Sequence, residues 1–247
     1  MNSCFVRYYG NLKELTGREK RERHEILFNG SPGIKDVVES EGVPHTEVGL
    51  IIVNSLPAEW QYRLKDGDDC AVYPFFRDLD IRSVSRLPAQ DYPEGRFVLD
   101  IHLGSLCKYL RMLGFDCYYN SGFKDRDIIT VANKESRFIL TRDRGILKNG
   151  AVLCGCLIRS IHPLEQLHQV LERFGLYSKI RPLIRCLKCN GVIESIPSDS
   201  VTGMLPENTK KYYHDFYRCV SCGTIYWKGS HYENMIKMIE GLFALIL

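Results

Sequence analysis

The chain has 247 residues, of which 45 % are hydrophobic, and its formal net charge is +3. That length and apolar fraction exclude a disordered or fibrous chain and allow one large domain or two to three small ones, while the charge is too near balance to argue for a polyanionic partner. No succession of basic, apolar and small residues opens the chain, and the apolar run 242–247 is far short of the roughly 20 residues of a membrane span, so a cytoplasmic protein is expected.

In chain order, strand-like runs at 4–9 and 25–28 precede a helical stretch at 34–39, which Ser31-Pro32 is placed to start. Two more strands follow at 48–53 and 70–73, the last entered through the turn Asp66-Gly67-Asp68. The order β-β-α-β-β predicts an α+β β-grasp domain over residues 1–82. Leu12-Lys13-Glu14-Leu15-Thr16-Gly17 and the Asp66 turn resemble the ubiquitin-like and sulfur-carrier family. A carrier ends in a free Gly-Gly, whereas this strand runs into Pro74-Phe75-Phe76, so a binding or structural module is expected.

Residues 78–95, with Ser83, Ser85, Pro88 and Pro93, read as a polar linker, from which a removable N-terminal domain is expected. An α/β domain is predicted over 96–179. Phe97-Val98-Leu99 forms a short buried strand ending at Asp100, and a helix over 102–113 carries Leu103, Leu106, Leu110 and Leu113 on one stripe. A turn at Asp116 leads to a strand at 117–119, Asp125 and Asp127 introduce an apolar helix, and Phe138-Ile139-Leu140-Thr141-Arg142 ends at Asp143. A helix over 163–174 has Leu164, Leu167, Val170 and Leu171 as its apolar face and Gly175 as its stop.

Strand, helix, strand implies a parallel sheet, whose strand ends share the edge where open α/β folds place ligands. Carboxylates about 4 Å apart repel by roughly 4 kcal/mol at an effective dielectric near 20, so acids gathered there call for a shared proton or a hard cation such as Mg²⁺ or Mn²⁺. Asp100 and Asp143 are the first two candidate ligands and Asp127 the third; the competing role for each is to cap the following helix.

Residues 180–247 are organised by Cys186-Leu187-Lys188-Cys189 and Cys219-Val220-Ser221-Cys222. Each pair offers two sulfurs from one tight knuckle, and four thiolates close a tetrahedral zinc site, which predicts a structural zinc ribbon with an inserted hairpin or loop at 194–211. The remaining cysteines, Cys4, Cys70, Cys107, Cys117, Cys154 and Cys156, sit mostly in apolar runs and read as small buried hydrophobes, with Cys154-Gly155-Cys156 adding a redox or metal hint. Tyr226, Trp227 and His231 follow the second knuckle and could stack on unpaired bases or pack around it.

Leu99-Asp100, Leu103-Gly104, Leu110 through Asp116, Ile139 through Asp143, Glu165-Gln166-Leu167, Arg185 through Gly191, Phe216 through Cys219 and Tyr226 through His231 together resemble the Mut-seven C-terminal RNase family of PIN-like nucleases. The resemblance covers nearly the whole chain, including an N-terminal ubiquitin-like domain. It implies a ribonuclease acting on RNA with Mg or Mn at Asp100, Asp127 and Asp143, beside a structural zinc. Lys108, Arg111, Arg142 and Arg144 are then candidate phosphate contacts, and Tyr226 and Trp227 candidate base contacts. One departure stands out: PIN nucleases carry a further acid in a middle helix, and the stretch between Asp100 and Asp127 offers no clear equivalent. A noncatalytic RNA-binding adaptor is therefore the alternative to an enzyme, and a protein-interaction scaffold built on the ubiquitin-like domain is a third reading.

Overall fold

A computed structural model describes residues 1–16, 23–76, 79–92, 95–201, 204–205 and 212–244. Gly17, Asp78, Pro93, residues 206–211 and the side chain of His231 lie outside the described residues. The chain divides into two units, Met1–Pro93 with Gly122–Arg159, and Glu94–Ser121 with Ser160–Leu247.

The first unit opens with β1 (Asn2–Tyr8), β2 (His24–Phe28), α1 (Ile34–Ser40), β3 (Val48–Val53), β4 (Leu56–Pro57) and β5 (Asp69–Pro74), whose sheet runs β2-β1-β5-β3-β4. Strands β1 and β5 pair in parallel and the other neighbours antiparallel, which is the expected β-grasp. Alternation along β1 sends Cys4, Val6 and Tyr8 inward and leaves Phe5 and Arg7 on the other face; Val38, Ile51 and Val72 complete the core. Helix α1 begins after Gly33 rather than at Ser31-Pro32. Those two residues hold the returning chain instead, the Ser31 hydroxyl donating to the Leu64 carbonyl and the Leu64 N–H to the Pro32 carbonyl. The short strand β4 was not expected from the sequence. It is formed by a tight hairpin in which Asn54 (φ 48°) and Ser55 (φ 69°) both take left-handed backbone.

Four parallel strands follow: β6 (Arg96–Leu99), β7 (Asp116–Tyr119), β8 (Phe138–Thr141) and β9 (Gly155–Leu157), in the order β7-β6-β8-β9. The helices among and after them are α2 (Gly104–Met112), α3 (Asp125–Glu135), α4 (Arg144–Lys148) and α5 (Pro163–Phe174). The last matches its expected bounds and stops at Gly175 (φ 61°). Helix α4 and strand β9 are too short to announce themselves by periodicity. Strand β9 absorbs the Cys154-Gly155-Cys156 hint: both cysteines are buried, and burial pushes the Cys154 thiol up to about 12, away from redox reactivity.

Within the first unit, residues 122–159 are tied to the β-grasp. The Leu157 N–H donates to the buried Glu47 carboxylate at 2.6 Å, and the His45 ring lies between Glu39 (2.7 Å) and the Val152 carbonyl (2.9 Å). Arg144 donates to the Leu15 carbonyl, Lys148 to the Glu39 carbonyl, and Arg159 pairs with Glu14. The described part of the expected linker is also held: Ser85 donates to the Gly49 carbonyl, Gln90 to the Thr46 carbonyl, and the Tyr92 ring meets Phe138 edge-on. The expectation of a freely removable N-terminal domain is thereby corrected, because removing it would strip buried polar groups of their partners.

In the second unit Leu103, Leu106, Leu110 and Leu113 are fully buried, and Phe97 packs against Phe174 with ring centroids 5.3 Å apart. The ribbon follows as β10 (Ile193–Ile196), β11 (Phe216–Cys219) and β12 (Ile225–Trp227), antiparallel in that order, then α6 (Ser230–Ala244). Among the described residues no helix is long and apolar enough to cross a membrane.

Candidate metal centre and strand-end acids

The two knuckles bring Cys186, Cys189, Cys219 and Cys222 together, all four sulfurs within 4.8 Å of one another. Cys186 Sγ lies 3.6 Å from Cys222 Sγ, and Cys189 Sγ lies 3.4 Å from Cys219 Sγ. Zn–S bonds of about 2.3 Å in a tetrahedron require sulfurs roughly 3.8 Å apart, so the donor set fits a metal ion such as zinc. Local backbone builds the shape. The Cys186 N–H donates to the Gly191 carbonyl and Asn190 (φ 71°) turns the first knuckle; the Gly223 N–H donates to the Cys219 carbonyl at the second. A Cβ on Gly191 would sit 2.8 Å from Cys219 Sγ and 2.5 Å from Ser221 Oγ, so this position has no room for a side chain.

Around the sulfurs, the Tyr226 hydroxyl lies 3.1 Å from Cys186 Sγ and accepts the Leu187 N–H. Burial and the Cys186 sulfur push the Tyr226 hydroxyl above the ordinary tyrosine range, which keeps it protonated as a donor toward a thiolate. Thr224, with its hydroxyl 3.1 Å from Cys222 Sγ, holds that thiol down to about 6, favouring the ligating thiolate.

The first knuckle is bolted to β7 and α2. Buried Arg111 donates to the Cys117 carbonyl through Nε (3.0 Å) and Nη2 (2.8 Å), and through Nη1 to the Leu187 and Lys188 carbonyls (3.1 Å each). The Asn190 side chain accepts the Cys117 N–H and donates to the Asp116 carboxylate. Asn190 escaped sequence reasoning; its place directly after the first cysteine pair was the available signal. Arg111 was expected to meet RNA phosphate. Its donors instead serve buried carbonyls, so that expectation is corrected. Tyr226, expected as a base contact, likewise has its hydroxyl engaged at the metal centre, while Trp227 is half-buried opposite Phe216. Lys108, Arg142 and Arg144 are exposed, and Arg144 makes the Leu15 bond already described.

Each candidate acid has a clear local setting. Asp100, buried at the end of β6, accepts the His102 N–H at 2.6 Å and starts a short 3-10 turn over Ile101–Leu103, which is why α2 begins later than expected. Asp143, exposed after β8, accepts the Gly145 N–H at 2.6 Å and caps α4. Asp127, exposed in the first turn of α3, accepts the Lys124 N–H at 3.0 Å. The capping role weighed from the sequence is thus taken up by Asp100 and Asp143, whereas Lys124 caps α3 and Asp127 accepts its N–H from the first turn. Asp127 and Asp143 belong to the first unit and Asp100 to the second. In neither Asp127 nor Asp143 does the second carboxylate oxygen accept a hydrogen bond among the described residues.

The chain thus combines a parallel α/β sheet with an acid after β6 and another after β8, a four-thiolate ribbon and a β-grasp sheet. Residues 95–239 match the family model of the Mut7-C RNAse domain, and the chain belongs to that family. Residues 1–80 match the model of the Mut7-C ubiquitin domain. Among solved structures, a Pyrococcus furiosus chain assigned as molybdopterin converting factor, subunit 1, is similar at 24 % identity and a TM-score of 0.25, covering 30 % of this chain and 98 % of its own. No curated protein matches the chain.

Proposed function

We propose that the protein is a divalent-metal-dependent ribonuclease that hydrolyses RNA phosphodiester bonds, with Asp100, Asp127 and Asp143 as its acidic residues and a structural zinc in the ribbon. The observation that carries this reading is that, in an RNAse-domain family member, Asp100 and Asp143 each stand at the C-terminal end of a parallel strand. Ligands of open α/β sheets bind at such ends. The donor set suits a hard cation: all three groups are carboxylates, and Asp127 and Asp143 each keep an oxygen without a hydrogen bond among the described residues. Mg²⁺ or Mn²⁺, when bound, supplies positive charge at the attacked phosphate and acidifies a water molecule.

The chain's own part is orientation. Backbone N–H bonds at 2.6 Å fix the carboxylates of Asp100 and Asp143, so little rotamer freedom remains to be lost on binding. Lys108, Arg142 and Arg144 offer exposed positive charge for phosphate, and Trp227 a ring for a base. Cleavage of a mixed RNA pool with Mn²⁺, by the wild type and by Asp143→Asn, tests the reading. Cleavage lost only in the variant supports it. Equal cleavage by both, or none by a zinc-replete wild type, favours the noncatalytic adaptor.

A further inference from the structure

The β-grasp sheet has one face packed on α1 and a second face, covered at Leu50 of β3 and partly accessible along β1 and β5, whose chemistry the ribonuclease reading does not use. Along β1 the outward positions are Phe5 and Arg7, and Tyr9 continues the ladder through its N–H bond to the Val72 carbonyl. Beside them on β5 stand Ala71 and Tyr73, Arg7 pairing in register with Ala71. Tyr9 and Tyr73 stack with ring centroids 4.2 Å apart and planes at 11°, and Phe76 follows Tyr73 at 6.1 Å and 34°. Lys13 Nζ lies 6.0 Å from the Tyr9 ring, and Arg7 is exposed on the same face.

Charge on this face is unevenly distributed. At the end near Phe5, the Arg23 guanidinium covers the ring at 3.7 Å and pairs with Asp69, with Glu25 alongside. At the Tyr9–Tyr73 end, Arg7 and Lys13 pair with no carboxylate among the described residues. A row of rings bordered by two such cations is complementary to a strand whose bases are free to stack and whose phosphates are negative. Aromatic rings on an open sheet face stack on unpaired bases without regard to sequence, and arginine and lysine beside them meet the backbone. A protein partner recognising a ubiquitin-like face would be expected to find a more aliphatic surface. This face also carries aliphatic area, Leu27 (57 % exposed) beside Ser3 and half-buried Ile52 beside Ala71, but its Tyr9–Tyr73 end is made of rings and cations.

We propose that the Arg7, Tyr9, Lys13, Tyr73 and Phe76 surface binds single-stranded RNA. The choice of RNA among single strands rests on the ribonuclease reading; the binding itself does not depend on cleavage. The test uses the full-length, zinc-replete chain without Mg²⁺ or Mn²⁺, titrated against a fluorescent unstructured 12-residue oligoribonucleotide and followed by anisotropy. Tyr73→Ala should weaken binding on the order of tenfold, the loss of one stacked base. Arg7→Gln with Lys13→Gln changes two accessible side chains and leaves the core intact. This double variant should lower the slope of log affinity against log salt by about 1.4, near 0.7 for each single-strand phosphate that is no longer neutralised. Affinity and slope unchanged in both variants would overturn the proposal and leave the face to a protein partner, as would an absence of RNA binding by the wild type. Loss of affinity in Tyr73→Ala accompanied by a lower melting temperature is scored on the Arg7/Lys13 pair alone. A wild type whose binding is weakened by these variants, yet which cuts no RNA in the separate Mn²⁺ assay, sustains this proposal while sinking the ribonuclease reading.

Discussion

The thiolate centre and the strand-end acids are built on opposite plans. Each knuckle gathers two of its sulfurs from four consecutive residues, and the groups that shape it, Asn190, Gly191, Gly223 and Thr224, lie within two residues of a cysteine. The acids come from segments far apart in sequence, and each already accepts a backbone N–H at the start of a helix or turn. A short-range site announces itself by spacing and has one use for each residue. A long-range site is drawn from residues that have a local job in any case, so geometry alone does not separate ligand from cap.

Substitution can separate them. The largest effect is expected at the knuckles: Cys186→Ser with Cys219→Ser should reduce zinc from about one ion per chain to none, and a structural zinc is worth on the order of 10 kcal/mol to folding. Elemental analysis and thermal melting report both quantities, and zinc retained at the wild-type level would contradict the assignment. Next comes Asp143→Asn. Asn caps a helix as well as Asp does, so the melting temperature should hardly move, whereas loss of an anionic oxygen should lower Mn²⁺-dependent RNA cleavage by about a hundredfold or more. An unchanged rate would leave Asp143 as a cap and nothing else.

Arg111→Met sharpens the other side of the comparison. The side chain keeps its apolar length but abandons the carbonyls of Cys117, Leu187 and Lys188, and stability should fall by about 3 kcal/mol with the cysteines untouched. A denaturant midpoint equal to that of the wild type would mean that these bonds are replaced by water at no loss. The smallest effect concerns acidity. Thr224 lowers the Cys222 thiol to about 6, so the ionised thiolate is favoured in the folded chain, and its contribution is complete above the ordinary thiol value of 9.0 and is lost progressively as pH falls to about 6. Below that point zinc uptake must displace one more proton, weakening affinity by about tenfold per pH unit. Chelator competition should show this added slope setting in near pH 6 in the wild type and at higher pH in Thr224→Val; identical profiles would remove Thr224 from the account.

Legibility followed the same division. The strand-like runs of β1 and β3, the leucine stripe of α2 and the length of α5 are all local signals, and the structure bears them out. Strands β4 and β9 and helix α4 have two, three and five residues, too few for any period to show. Arg111 was misread because an arginine on a helix is exposed by default, and its burial is explained by the Cys117 carbonyl together with carbonyls of a segment some seventy residues later. The hold of Glu47 on Leu157 is equally non-local, spanning 110 positions.

That last bond has a meaning for how the chain avoids sticking to itself. Strand β9 is the final strand of its sheet, and a bare rim of amides invites a neighbouring chain to add another strand. By receiving the Leu157 amide at 2.6 Å, the Glu47 carboxylate occupies one position of that rim with a charged side chain where a foreign carbonyl would otherwise dock. The β-grasp thus acts as a stopper on an otherwise extendable ladder, and the parallel sheet produced without it has a bare edge at β9.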